Sequence, residues 1–135
     1  MKKLIFLILI IIIVVGVFLF LKKPSQVCFN NTCFKVEATD DIAKGLMYRE
    51  KMEADHGMLF IFPTIQKHSF WMKNTLIPLD IIWLDEKKEV VFIAKNAQPC
   101  TEECSLIIPD KNAKYVLEIN TGIIDVIMED KAKFK

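Results

Sequence analysis

Two histidines and four glycines are all that this 135-residue sequence carries of those residues. It has no Gly-x-Ser-x-Gly elbow, no phosphate-binding loop, no dinucleotide fingerprint and no His-Glu-x-x-His pair. With so few bases and no nucleophile in context, a hydrolase is hard to assemble. The composition, 53% hydrophobic with four glycines, also excludes a collagen-like chain and long disorder. No internal repeat is present. Clustered positive charge is missing as well. Lys2, Lys3, Lys22 and Lys23 flank an apolar run, so residues 24–135 keep 14 basic against 17 acidic side chains, a formal charge of −3. Phosphate neutralisation needs a basic face, so nucleic acid is not an expected partner. The length allows one domain of ordinary size.

Charge is absent altogether from Leu4 to Leu21, 18 consecutive positions without Pro. At about 1.5 Å per residue a helix of that length reaches roughly 27 Å, enough for a hydrocarbon core. A cleaved signal peptide ends in small residues. The stretch Phe18 to Pro24 has no Ala-x-Ala pattern, and Val27-Cys28 lacks the context of a lipoprotein site. Residues 1–23 are therefore predicted to be an uncleaved anchor, with the membrane as a partner through Leu4–Leu21 and a domain over 24–135. Lysines on both sides leave its orientation to other signals.

The cysteines supply one. Cys28 and Cys33 bracket Phe29-Asn30-Asn31-Thr32, and Asn30-Asn31 suits a two-residue hairpin turn. That turn sets Cys28 opposite Cys33 at a separation a disulfide accepts. Cys100 and Cys104 are also within one turn of chain. Two local bridges, Cys28–Cys33 and Cys100–Cys104, imply an oxidising compartment, so the domain is expected outside the cytoplasm. Free thiols and zinc are the rival readings. Neither spacing matches the usual C-x2-C of zinc ligands, and His56 and His68 complete no obvious finger.

Further along, Val27–Phe29 and Cys33–Ala38 read as a hairpin, and Thr39-Asp40-Asp41 as the start of a helix running past Gly45 to Arg49. Gly57–Phe62 reads as a strand stopped by Pro63, and Ser69–Met72 as another. Asp80–Asp85 and Glu89–Ala94 form the clearest hairpin. Lys114–Ile119 alternates polar and apolar residues, as a half-buried strand does. Thr121–Met128 reads as a short helix and Ala132–Phe134 as an edge strand. Short strands at frequent intervals with two short helical inserts predict a mainly β sandwich or barrel.

Several of these segments resemble the blocks of a known family. They are Gly45-Leu-Met-Tyr-Arg49, Gly57-Met-Leu-Phe-Ile-Phe62 and Phe70-Trp-Met-Lys-Asn-Thr-Leu-Ile-Pro-Leu-Asp80, followed by Asn96–Cys104 and Tyr115–Gly122. In that order they are similar to uncharacterised protein family 0127, also called domain of unknown function 192. The likeness runs from about Cys28 to the end and leaves the apolar run outside it. It implies a jelly-roll-like sandwich or barrel and brings no reaction. Members tend to end in a Gly-Asp turn, where this chain has Met128-Glu-Asp-Lys-Ala.

Asp80 is the candidate catalytic residue. It precedes the most apolar strand, where a carboxyl could act as an acid or base. The plainer reading is a strand-end acceptor for backbone or Asn74 hydrogen bonds. Arg49, Trp71, Lys73, Asn74 and Glu118 are the ligand-binding candidates that would join it on one rim. Arg49 at a helix end also suits a dipole-compensating ion pair. His56 with Met58, and His68 with Met72, bring imidazole near thioether as copper(I) prefers. Met in apolar strands is ordinary filler, though, and His68 and Met72 would lie about 13 Å apart along a strand. No metal and no cofactor is expected. The reading this favours is a non-enzymatic membrane-anchored binding or accessory module outside the cytoplasm, with a small molecule, glycan or membrane protein as partner. A small enzyme using Asp80 with Arg49 or Lys73, and a copper-handling protein, are the alternatives.

Overall fold

The computed structural model describes the backbone of residues 2–20 and 23–135, with side chains over 3–13 and from Lys23 onward. Helix α1 covers Lys2–Phe20. Seven strands come after it: β1 (Gln26–Phe29), β2 (Thr32–Thr39), β3 (His56–Gln66), β4 (Leu79–Leu84), β5 (Val90–Ala97), β6 (Ala113–Asn120) and β7 (Ala132–Phe134). Among the residues with described side chains, no helix is long and apolar enough to cross a membrane. The expected span Leu4–Leu21 is covered by described side chains only as far as Ile13, and the rest of it lies outside them.

The domain is mainly β. One sheet holds all seven strands in the order β5-β4-β6-β3-β2-β1-β7. Its two ends approach each other: Val90 N–H donates to the Asp130 carbonyl (2.8 Å), Glu129 N–H to Val90 (3.0 Å) and Ala132 N–H to Lys88 (2.9 Å). The sheet thus curls into a partly closed barrel. Its inner face carries Val27, Phe29, Phe34, Leu59, Ile82, Leu84, Val90, Leu117, Ile119 and Ala132, all buried. Every strand contributes, which the period of two along a strand allows. The outer face is not left to water. Met58, Phe60, Phe62, Leu79, Ile81, Trp83 and Val116 pack there under Leu46, Met72 and the rings of Phe70 and Phe92. The strands β3, β4 and β6 are therefore covered on both faces.

Three expectations need correction. The first is the pair of helical inserts. Residues 42–48 are consecutive turns, because Gly45 (φ 48°) and Tyr48 (φ 63°) take left-handed conformations that a helix does not continue through. Residues 121–129 form no helix either: Gly122 has φ 74° and its N–H is taken by Asp80. The second is the end of β3, which runs on past Pro63 to Gln66 through a register shift that absorbs the missing donor. The third is Ser69–Met72, where only Phe70 pairs, with Ile107. Strand β2 also lies parallel to β3, whereas a jelly roll is built from antiparallel strands.

Candidate functional site

Asp80 and Glu118 lie on adjacent strands but face opposite ways. In the β4–β6 ladder Asp80 stands across from Ile119, and Ile81 across from Glu118. Ile119 belongs to the inner cluster and Ile81 to the outer one. Side chains alternate along each strand, so Asp80 shares the inner side and Glu118 the outer.

Asp80 is 5% exposed and fully engaged. Its Oδ1 accepts from Asn96 N–H (2.7 Å) and Thr121 Oγ1 (2.8 Å), and its Oδ2 from Gly122 N–H (3.0 Å). It ties the ends of β4, β5 and β6 together. Asn74 is not among its partners.

Glu118 is the contrast. It is also 5% exposed, and its Oε2 has no hydrogen-bond partner. Burial, with nothing to offset it, pushes its carboxyl up to about 8. The carboxyl therefore stays largely protonated at neutral pH. It lines a narrow slot of about 30 Å³. Gly45, Phe60, Phe70, Trp71, Lys73 and Thr75 line it as well. A Cβ built on Gly45 would stand 3.3 Å from Phe60 Cζ and 4.0 Å from Glu118 Oε2. Its positive φ favours glycine, and a side chain there would press on the Phe60 ring.

Two turns hold the walls. Residues 72–75 bring Lys73 and Thr75 to the slot, and the Cys100–Cys104 disulfide loop clamps them. Asn74 N–H donates to the Cys100 carbonyl (2.8 Å) and Cys100 N–H to Met72 (3.2 Å). The 42–48 turns carry Gly45 and are latched to the same segment. Tyr48 N–H donates to the Asn74 carbonyl (2.8 Å), and Asn74 Nδ2 donates to the Tyr48 hydroxyl (2.8 Å). Asn74 is thus a clamp across the two turns. The second bridge, Cys28–Cys33, closes the β1–β2 hairpin with the Cα atoms 4.0 Å apart.

A wider groove of about 500 Å³ adjoins the slot and shares Lys44, Gly45 and Met47 with it. Arg49 lies along this groove, with its guanidinium on Glu37 in a two-pronged ion pair (Nη1 to Oε1 2.6 Å). That hydrogen-bonded guanidinium holds the Glu37 carboxyl below its ordinary range. Trp71 is 44% exposed, and the Lys73 ammonium sits over its ring, 5.3 Å from the centroid.

The six sequence candidates therefore separate. Trp71, Lys73 and Glu118 meet at the slot, Arg49 lines the groove, Asn74 braces the walls, and Asp80 is on the other face. Gly45, Phe60 and Thr75 complete the slot with Phe70 and were not named as site residues from sequence. For Gly45 a signal exists, a glycine inside an otherwise helical pattern. Each imidazole is held through at least one ring nitrogen. His56 Nδ1 contacts Asp55 (2.8 Å) and Glu53 (3.2 Å). His68 is buried, stacked on Phe62 at 3.5 Å, with Nε2 on the Thr64 carbonyl (3.0 Å).

A curled sheet carrying a loop-built slot beside a wider groove defines a β-rich domain. Residues 25–130 match the family model for domain of unknown function 192, described as "Uncharacterized ACR", and the chain belongs to that family. Two solved structures resemble it. One, from Novosphingobium aromaticivorans, is a protein of unknown function, 33% identical over 80% of this chain and 83% of its own, with a TM-score of 0.70. Another, from Sinorhizobium meliloti, is described as a "putative transcription regulator", 30% identical over 81% of this chain and 90% of its own, with a TM-score of 0.69. No curated protein matches the chain.

Proposed function

We propose that the chain is a membrane-tethered binding module. In this reading its β-domain lies outside the cytoplasm and takes one end of a small molecule into the slot at Glu118. The observation that carries it is Glu118, which lines the slot and whose buried Oε2 has no partner. A buried polar atom without a partner costs about 1–3 kcal/mol, and native proteins keep few of them. A ligand that supplies the missing partner accounts for its presence. The adjoining groove gives the remainder of such a molecule somewhere to lie.

The tether rests on the uncharged run Leu4–Leu21 and on α1, which covers most of it. Placement outside the cytoplasm rests on the two cysteine pairs, which persist as disulfides in oxidising surroundings. The enzyme alternative has less behind it: Asp80 is saturated with donors and Arg49 is committed to Glu37. For copper, nothing among the described residues brings either imidazole together with a thioether: His56 Nδ1 is held by Asp55, and His68 is stacked on Phe62 with Nε2 on the Thr64 carbonyl. The regulator description of the Sinorhizobium protein finds no echo in a domain of charge −3.

The test is NMR mapping of the full-length chain in detergent micelles against a set of small polar molecules. Shifts should gather on Gly45, Phe60, Trp71 and Thr75 and vanish in Glu118→Gln. Shifts gathered around Asp80, or none near Glu118, would contradict the reading.

A further inference from the structure

Among the described residues, the charged side chains lining the slot are Lys44, Lys73 and Glu118. Across the ladders Glu118 stands opposite Met58 on β3 and Ile81 on β4, both apolar. The two lysines are therefore the titratable groups that share the slot with it. Neither ammonium is in an ion pair among the described residues. Lys73 lies over the Trp71 ring instead. An ionised Glu118 would offset one of the two positive charges. Burial holds its carboxyl protonated up to about 8, so at neutral pH the two ammoniums stand largely uncompensated. In either state the lining is net positive. It favours an anion and disfavours a further cation.

Hydrogen bonding and size narrow the choice further. A protonated carboxyl is a donor as well as an acceptor, and Glu118 Oε2 has no partner within the chain. Donation to an ionised oxygen is about twice as strong as donation to a neutral one. At roughly 10–15 Å³ for each water-sized group, a volume of about 30 Å³ takes two oxygens. A carboxylate has two. Phosphate and sulfate, with four, are too large. The groove shares Lys44, Gly45 and Met47 with the slot and has room for the rest of the molecule. Its own charges balance, Lys44 and Arg49 against Glu37 and Asp41, so the sign is set in the slot.

On this basis, and resting on the reading of the slot as a binding site, we infer that its ligand is a small organic acid whose carboxylate enters the slot, where it meets the Glu118 carboxyl and the Lys44 and Lys73 ammoniums. Glu118 donates its proton in a hydrogen bond to one ligand oxygen, and the lysines balance the charge. The stem runs into the groove. Where Glu118 is ionised, the two carboxylates repel, and binding has to take up a proton.

NMR titration of the full-length chain in non-ionic micelles tests this with four probes: propionate, propanol, propylammonium and inorganic phosphate. Propionate should shift Gly45, Trp71 and Thr75 and bind roughly tenfold tighter than each of the others at pH 7. Its affinity should fall about tenfold between pH 7 and pH 9, as Glu118 loses near 8 the proton it donates. Replacing both lysines, Lys44→Gln with Lys73→Gln, should weaken propionate roughly tenfold and leave the propanol shifts unchanged. A propionate affinity that is level from pH 7 to pH 9, or indifferent to the lysine replacements, overturns the carboxylate. So does another probe that occupies the slot as tightly as propionate, and in that case the binding site stands. If none of the four occupies it, both are overturned.

Discussion

A carboxyl on β4 and another on β6 are one register step apart, and that step decides their roles. Asp80 accepts from two backbone N–H groups and a hydroxyl, so it behaves as a structural staple. In Asp80→Asn the amide presents an NH2 to one of two backbone donors, Asn96 or Gly122, whichever way it is turned. Leaving a donor unsatisfied costs about 1–3 kcal/mol. At roughly 4 °C per kcal/mol for a domain of this size, Tm should fall by about 4–12 °C. Ligand binding at Glu118, on the opposite face, should survive in the chain that remains folded. Thermal melting with a parallel binding assay checks both, and an unchanged Tm with lost binding would reverse the two assignments. The sequence marked both acids as candidates but could not separate them. Which face a residue takes depends on register, and register between distant strands is set by packing.

At the scale of elements, local signals are legible in the sequence and non-local ones less so. The Asn30-Asn31 turn placed Cys28 opposite Cys33, and the ladder has that register. The β4–β5 hairpin and β7 also come from turn residues and apolar runs. The 42–48 segment misled because its apolar spacing is helical, while Gly45 and Tyr48 turn left-handed to build a wall of the slot. Strand β6 misled differently. Its alternation suggested a half-buried strand, but Val116 and Glu118 are buried on the supposed outer face under chain that arrives from residues 42–75. Nothing local announces that cover. The proposed tether carries its own expectation. If Leu4–Leu21 anchors the chain, the full-length protein should stay with membranes through high-salt and carbonate washing, because a spanning helix is not held by charge. A mature form beginning near Pro24 and released by the wash would contradict the tether.

Across the whole molecule, the cost of Glu118 should be visible as a pH dependence of global stability. Its carboxyl ionises near 8 in the folded chain against an ordinary value of 4.5. The folded state therefore binds the proton more tightly than the unfolded state does. Between these two values the unfolded chain gains by ionising and the folded chain does not, so stability falls as pH rises through the window. The contribution is intact below 4.5 and lost by about 8. Functional carboxyls are often held at such a cost, which a neutral replacement relieves. Comparing the full-length protein with Glu118→Gln in the same micelles from pH 5 to pH 9 cancels the titration of every other group. The account predicts similar Tm values at pH 5 and a gap that widens with pH, the variant melting several degrees higher at pH 9. Parallel curves, or a variant less stable at every pH, would mean that Glu118 is solvated or structurally satisfied.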